Sequence, residues 1–92
     1  MEISISAAIN KAISVQKDGR VQEAKEIYQA ILQNHPKHPD ANHNMGVIAA
    51  SNNEFEDASN YFKKAIDANS KVQQYWLSYL KLLINFKRLI KT

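Results

Sequence analysis

Sliding the chain thirty-four residues along itself superimposes its turn residues and its small residues. Gly19 falls on Asn53, Ala12 on Gly46, Ala24 on Ala58, Tyr28 on Phe62, Val21 on Phe55 and Glu23 on Asp57. Each match alone is weak, but all of them share one register. A chain with such a period is built from copies of one supersecondary unit, and each copy buries its apolar face by stacking on the next.

The unit is helical. Apolar residues recur at spacings of three and four, alternating β-branched runs are scarce, and two Gly and two Pro are too few for many short strands. A first helix is expected over about residues 6–17, with Ile5, Ala8, Ile9, Ala12 and Val15 on its apolar side. Asp18-Gly19 ends it, because Gly takes the left-handed conformation that closes a helix. A second, about 21–34, presents Ala24, Ile27, Tyr28, Ile31 and Leu32, and His35-Pro36-Lys37-His38-Pro39 then breaks the chain. The third is expected over about 40–51 with Asp40 as its N-cap, and Asn53 repeats the left-handed position of Gly19. The fourth covers about 55–69, with Phe55, Ala58, Tyr61, Phe62, Ala65 and Ile66 inward. Ser70 with Gln73 forms a possible capping box for a fifth helix, which runs from about 71 nearly to the end.

This helix–turn–helix period resembles the tetratricopeptide repeat family. The family's small residue in the first helix matches Ala12 and Gly46, and its Ala and aromatic in the second match Ala24 with Tyr28 and Ala58 with Phe62. Ala65, Pro36 and Trp76 fit its later Ala, closing Pro and opening Trp. Ala8 and Asn42 stand where the family has Trp, Lys11 where Leu is usual, Ile31 in place of Ala and Ser70 in place of Pro. The resemblance implies an all-α, right-handed superhelical stack of antiparallel hairpins, about five helices in one domain over 1–92. Repeat one would cover about 5–38, repeat two about 39–72, and a terminal helix about 73–90. It also implies a protein-interaction scaffold. The stretch from His38 through Met45 to Ala49 is similar to bacterial repeat segments that precede glycosyl- or sulfo-transferase domains, so a non-catalytic part of such an enzyme is the alternative.

Composition narrows the chemistry. There is no Cys, which removes disulfides, zinc–thiolate sites and a thiol nucleophile, and fits a reducing, cytoplasmic setting. The start has no basic region followed by an apolar core, and the most apolar stretch carries Lys81, Lys87 and Arg88, so neither a signal peptide nor a membrane span is expected. The net charge of +3 is mild and no Lys/Arg run marks a nucleic-acid surface. His35, His38 and His43 cluster around two prolines, but no Cys or HExxH pattern completes a metal set. Glu54, Glu56 and Asp57 suit the positive start of a helix better than acid–base work. No catalysis, metal or cofactor is therefore expected.

In the tetratricopeptide family the first helix of each pair lines a concave surface that takes peptides. Carried over by position, that surface comprises Asn10 and Ile13, then His43, Asn44 and Val47, then Gln74, Leu77, Ser78, Lys81 and Asn85. Some family members clamp a peptide's terminal carboxylate with Lys, Asn and Arg. Only Asn44 matches that set, since Ile9, Ile13, Gln74 and Ser78 occupy the other positions. Without the cations the charge-assisted pairing is lost, so binding of an acidic C-terminal tail is not expected.

The fifth helix carries two apolar stripes. Trp76, Leu80, Leu83 and Ile90 form one, expected to pack on the fourth helix, with Ser78, Lys81, Asn85 and Arg88 as the polar face. Tyr75, Tyr79, Leu82, Phe86 and Leu89 form the other, which a second helix of the repeat would cover, and Thr92 leaves no room for one. A terminal helix of a stack ordinarily presents a polar outer face. Five large side chains at about 1.5–3 kcal/mol each are a sizeable unmet burial. Two explanations are expected. One is self-association through this second stripe, as a two-fold homodimer, which Leu80 in place of a small residue favours. The other is a longer repeat protein from which the chain was cut, which the approach to a further turn over Phe86 to Leu89 favours.

Overall fold

A computed structural model describes residues 4–90 and contains five helices: α1 (Ile5–Lys17), α2 (Val21–Asn34), α3 (Pro39–Ser51), α4 (Phe55–Ala68) and α5 (Gln73–Ile90). Each helix packs on the next, α3 also touches α5, and the result is an elongated stack of 51 × 28 × 20 Å. Such nearest-neighbour packing is how repeat proteins build a continuous core.

The two hairpin turns repeat at the level of single hydrogen bonds. Gly19 and Asn53 both have positive φ, 85° and 61°. The Arg20 amide donates to the Val15 carbonyl and the Glu54 amide to the Ala49 carbonyl, each at 2.9 Å, thirty-four residues apart. These six-to-one bonds satisfy orphan carbonyls at the ends of α1 and α3. The core obeys the same register. Ala12, Val15, Ala24, Tyr28 and Ile31 are buried in the first unit, and Gly46, Ala49, Ala58, Phe62 and Ala65 in the second.

The caps of α3 and α5 differ from expectation, whereas α1 starts within one residue of it. Ser4 caps α1, its hydroxyl accepting from the Ala7 amide at 3.0 Å. His38, not Asp40, caps α3. Its Nδ1 accepts from the Ala41 amide at 3.2 Å, and Pro39 takes the first turn, where its missing N–H costs nothing. At α5 the capping box does not form. The Asn69 side chain takes the Lys71 amide at 3.2 Å and the Ser70 carbonyl accepts the Trp76 indole N–H at 2.8 Å, so the helix starts at Gln73.

Asn42 has a structural role that sequence inspection missed. It is 1% exposed and its amide donates at 3.0 Å to the carbonyls of both Pro36 and His38. One side chain thereby ties down the loop that joins the two hairpins.

Over its first three turns α5 buries the stripe opposite to the one expected, while Phe86 and Leu89 farther along that stripe stay exposed. Tyr75 and Leu82 are 4% exposed, Tyr79 packs beside them, and Phe86 sets its ring 5.6 Å from that of Phe55. Trp76, Leu80 and Leu83 instead lie open, at 44%, 52% and 44%. The repeat supplies the reason. Thirty-four residues earlier, Ala41, Met45 and Ile48 face the preceding hairpin, whereas Gly46 and Ala49 face the helix that follows. Tyr75, Tyr79 and Leu82 inherit the first role, and Leu80 and Leu83 inherit the second.

A candidate binding groove between α3 and α5

The helices α3 and α5 run side by side, both resting on α4, and leave a concave channel of about 400 Å³ between them. Val47, Ala50 and Ser51 form one wall, Gln74, Leu77, Ser78, Lys81 and Asn85 the other, and Phe62 and Leu82 the floor. The polar groups project at spacings of three and four along α5, so helical periodicity alone places them on one face. The floor is apolar and the rim supplies amide, hydroxyl and one ammonium group. That mix fits an extended polypeptide, whose backbone needs donors and acceptors and whose side chains need apolar contact.

Six of the ten residues expected to line the groove are its walls: Val47, Gln74, Leu77, Ser78, Lys81 and Asn85. His43 and Asn44 sit at its end, linked to it through Ser78. Asn10 is exposed on α1 and Ile13 packs on the first core; neither borders this channel. Sequence reasoning missed Ala50 and the floor, Phe62 and Leu82, which are also core residues. The five residues expected to self-associate are dispersed. Tyr75 and Leu82 are interior, Tyr79 is half-buried, and Phe86 and Leu89 are exposed.

One polar cluster stitches the groove to the core. The Tyr75 hydroxyl donates to the Asp40 carboxylate, and burial together with that carboxylate pushes the phenol well above its ordinary range. The His43 ring lies between Tyr75 and Phe62, with centroids 5.0 and 5.6 Å away. Its Nε2 is 2.7 Å from the Ser78 hydroxyl and its Nδ1 is 3.2 Å from Asn44 Oδ1. An amide oxygen can only accept, so Nδ1 carries the proton and Nε2 accepts from Ser78.

Burial holds the His43 pKa below its ordinary 6.5, against the opposing pull of Asn44 and Asp40. The unfolded chain therefore binds a proton near 6.5 that the folded chain still refuses. Stability attributable to His43 is complete above that value and falls as pH drops through the depressed one. Thermal melts from pH 7.5 to 5 should show a decline that is shallower in His43→Gln. Parallel curves would remove His43 as the cause.

Residues 16–82 match the sequence profile of the tetratricopeptide repeat family. The chain belongs to that family, whose repeats generally mediate protein–protein interaction. No solved structure matches it significantly. Among the described residues, no helix is long and apolar enough to cross a membrane, and no three His, Cys, Asp or Glu converge to hold a metal ion.

Proposed function

We propose that this protein is a non-enzymatic binding module that holds an extended peptide segment of a partner in the α3–α5 groove and associates with a second copy through α5. The groove's lining carries the first half: Phe62 and Leu82 beneath, Gln74, Ser78, Lys81 and Asn85 above. Lys81 is the one cation in that lining, so a single acidic side chain is accommodated but a terminal carboxylate with several anionic neighbours is not. Exposed apolar surface supports the second half. Of the nine large apolar side chains exposed among the described residues, eight are on α5. A patch of that kind is uncommon on a monomer and marks an interaction site.

A peptide selected from a random library should perturb the backbone amides of Val47, Ser78 and Asn85 in NMR titrations. Gln74→Ala with Asn85→Ala should weaken it roughly tenfold, the combined effect of two hydrogen bonds. An acidic C-terminal tail peptide should not bind at micromolar concentration. Perturbations confined to α1 and α2, or tight binding of the acidic tail, would refute the groove assignment. Light scattering after size exclusion reads the second half independently.

A further inference from the structure

Resting on the self-association reading, we infer that two copies of α5 pack antiparallel about a two-fold axis midway along the helix, through the seam Trp76, Leu80, Leu83, Lys87 and Ile90.

The spacing of that seam is four, three, four, three, the heptad pattern by which one helix grips another. Leu77 and Ile84 widen it on one side, where Leu77 is also a wall of the groove, so the open apolar arc is broad enough for a helix to settle in. What belongs there is constrained by Leu80. Its counterpart Gly46 lets α4 come so close that an added Cβ would stand 2.5 Å from the Phe62 ring. A second helix of the kind α3 receives cannot sit that close over a leucine. A leucine seam instead suits the 8–10 Å separation of ordinary helix pairs. Area agrees as well. The six open side chains Trp76, Leu77, Leu80, Leu83, Ile84 and Ile90 are 44% to 68% exposed. They present on the order of 600 Å² per copy, close to the ~800 Å² of a standard interface.

Lys87 selects the orientation. In a parallel pair it would face its own copy across the seam, two ammonium groups in contact with no acid anywhere on α5. In the antiparallel pair that overlaps the full span Gln73–Ile90, residue numbers across the seam sum to 163. Leu80 then meets Leu83 of the second copy, Gln73 meets Ile90, and Lys87 meets Trp76. The two Lys87 groups separate by eleven residues, about 16 Å at 1.5 Å per residue, beyond the Debye length at physiological salt. Each also gains an aromatic face. The Trp76 indole is held by its hydrogen bond to the Ser70 carbonyl, so the plate is oriented before the cation arrives.

The chain has no cysteine, so single-cysteine variants report geometry directly. Gln73→Cys and Ile90→Cys, both exposed and at the seam ends, are oxidised separately and mixed. The mixture should give disulfide-linked dimer at least about tenfold above either variant alone, because like charge in contact penalises the parallel pair. Unmodified protein should be dimeric at roughly 100 µM, the range expected of a small interface, with the emission of its single tryptophan moving to the blue on concentration. Cross-links within each variant alone would overturn the antiparallel register and leave self-association standing. A monomer at 100 µM with no cross-link in any arm would overturn both and assign the face to a different partner.

Discussion

Replacing Asn42 with aspartate should cost about 3–5 kcal/mol, the scale of an uncompensated buried charge. The side chain is 1% exposed, and its amide is the donor shared by the Pro36 and His38 carbonyls. Aspartate has nearly the same shape but, ionised, only accepts. Three acceptors would then face one another out of water; the Pro36 carbonyl would lose the side-chain donor, and the His38 carbonyl would keep only the backbone amide of residue 42 at 3.1 Å. At 4–8 °C per kcal/mol for a chain of this size, the melting temperature should fall by about 12 °C or more. The pH dependence discriminates the cause. Burial raises the new carboxyl's pKa, so the folded chain takes up a proton before the unfolded one does. The penalty is full above the raised value and shrinks as pH falls through it. Asn42→Leu removes the donor without adding a charge and should cost less, about 1–3 kcal/mol. Equal losses for the two variants would mean that water reaches the site.

The hairpin turns, the helix order and most of the groove were legible because they depend on local chemistry repeated in register. Gly19 and Asn53 announce left-handed residues, and Gln74, Ser78, Lys81 and Asn85 fall on one face by spacing alone. What misled was the choice between two apolar stripes on α5. Periodicity within one helix says that both are apolar, not which one meets a neighbour. The information was present at longer range, since Tyr75, Tyr79 and Leu82 stand thirty-four residues after Ala41, Met45 and Ile48. The turn-loop residues were harder. Asn42 reads as a departure from the family at a helical position, and only the fold brings the Pro36 carbonyl within reach of it. His38 reads as a loop histidine, yet its Nδ1 lone pair can accept an amide N–H, the task expected of the Asp40 carboxylate.

Gly46→Leu should be comparably damaging, and for the opposite physical reason: added volume instead of a lost donor. An ideal Cβ at residue 46 would lie 2.5 Å from Phe62 Cε1 and 2.6 Å from Cδ1. The ring is 1% exposed and packed with Ala49, Ala58 and Leu82 beneath the groove, so making room means pushing it up into the groove or opening the α3–α4 hairpin. Overpacking of this kind costs about 1–3 kcal/mol for extra methylenes, and a whole leucine belongs at or beyond the upper end. The gain in helix propensity over glycine, about 0.8–1 kcal/mol, offsets only part of that. A fall in melting temperature of roughly 10 °C is expected, and Phe62→Ala in the same chain should recover part of it, giving a favourable coupling in a double-mutant cycle. Additive losses would show that the two side chains do not compete for the same space. Leu80, one period later, supplies the control. It is 52% exposed, so Leu80→Ala measured on dilute, monomeric protein should stay within about 0.5 kcal/mol of the parent. The same variant at high concentration should weaken association, because the open half of this side chain is then covered by the second copy. The repeat sets where a residue points, and the neighbour it meets there sets how large it can be.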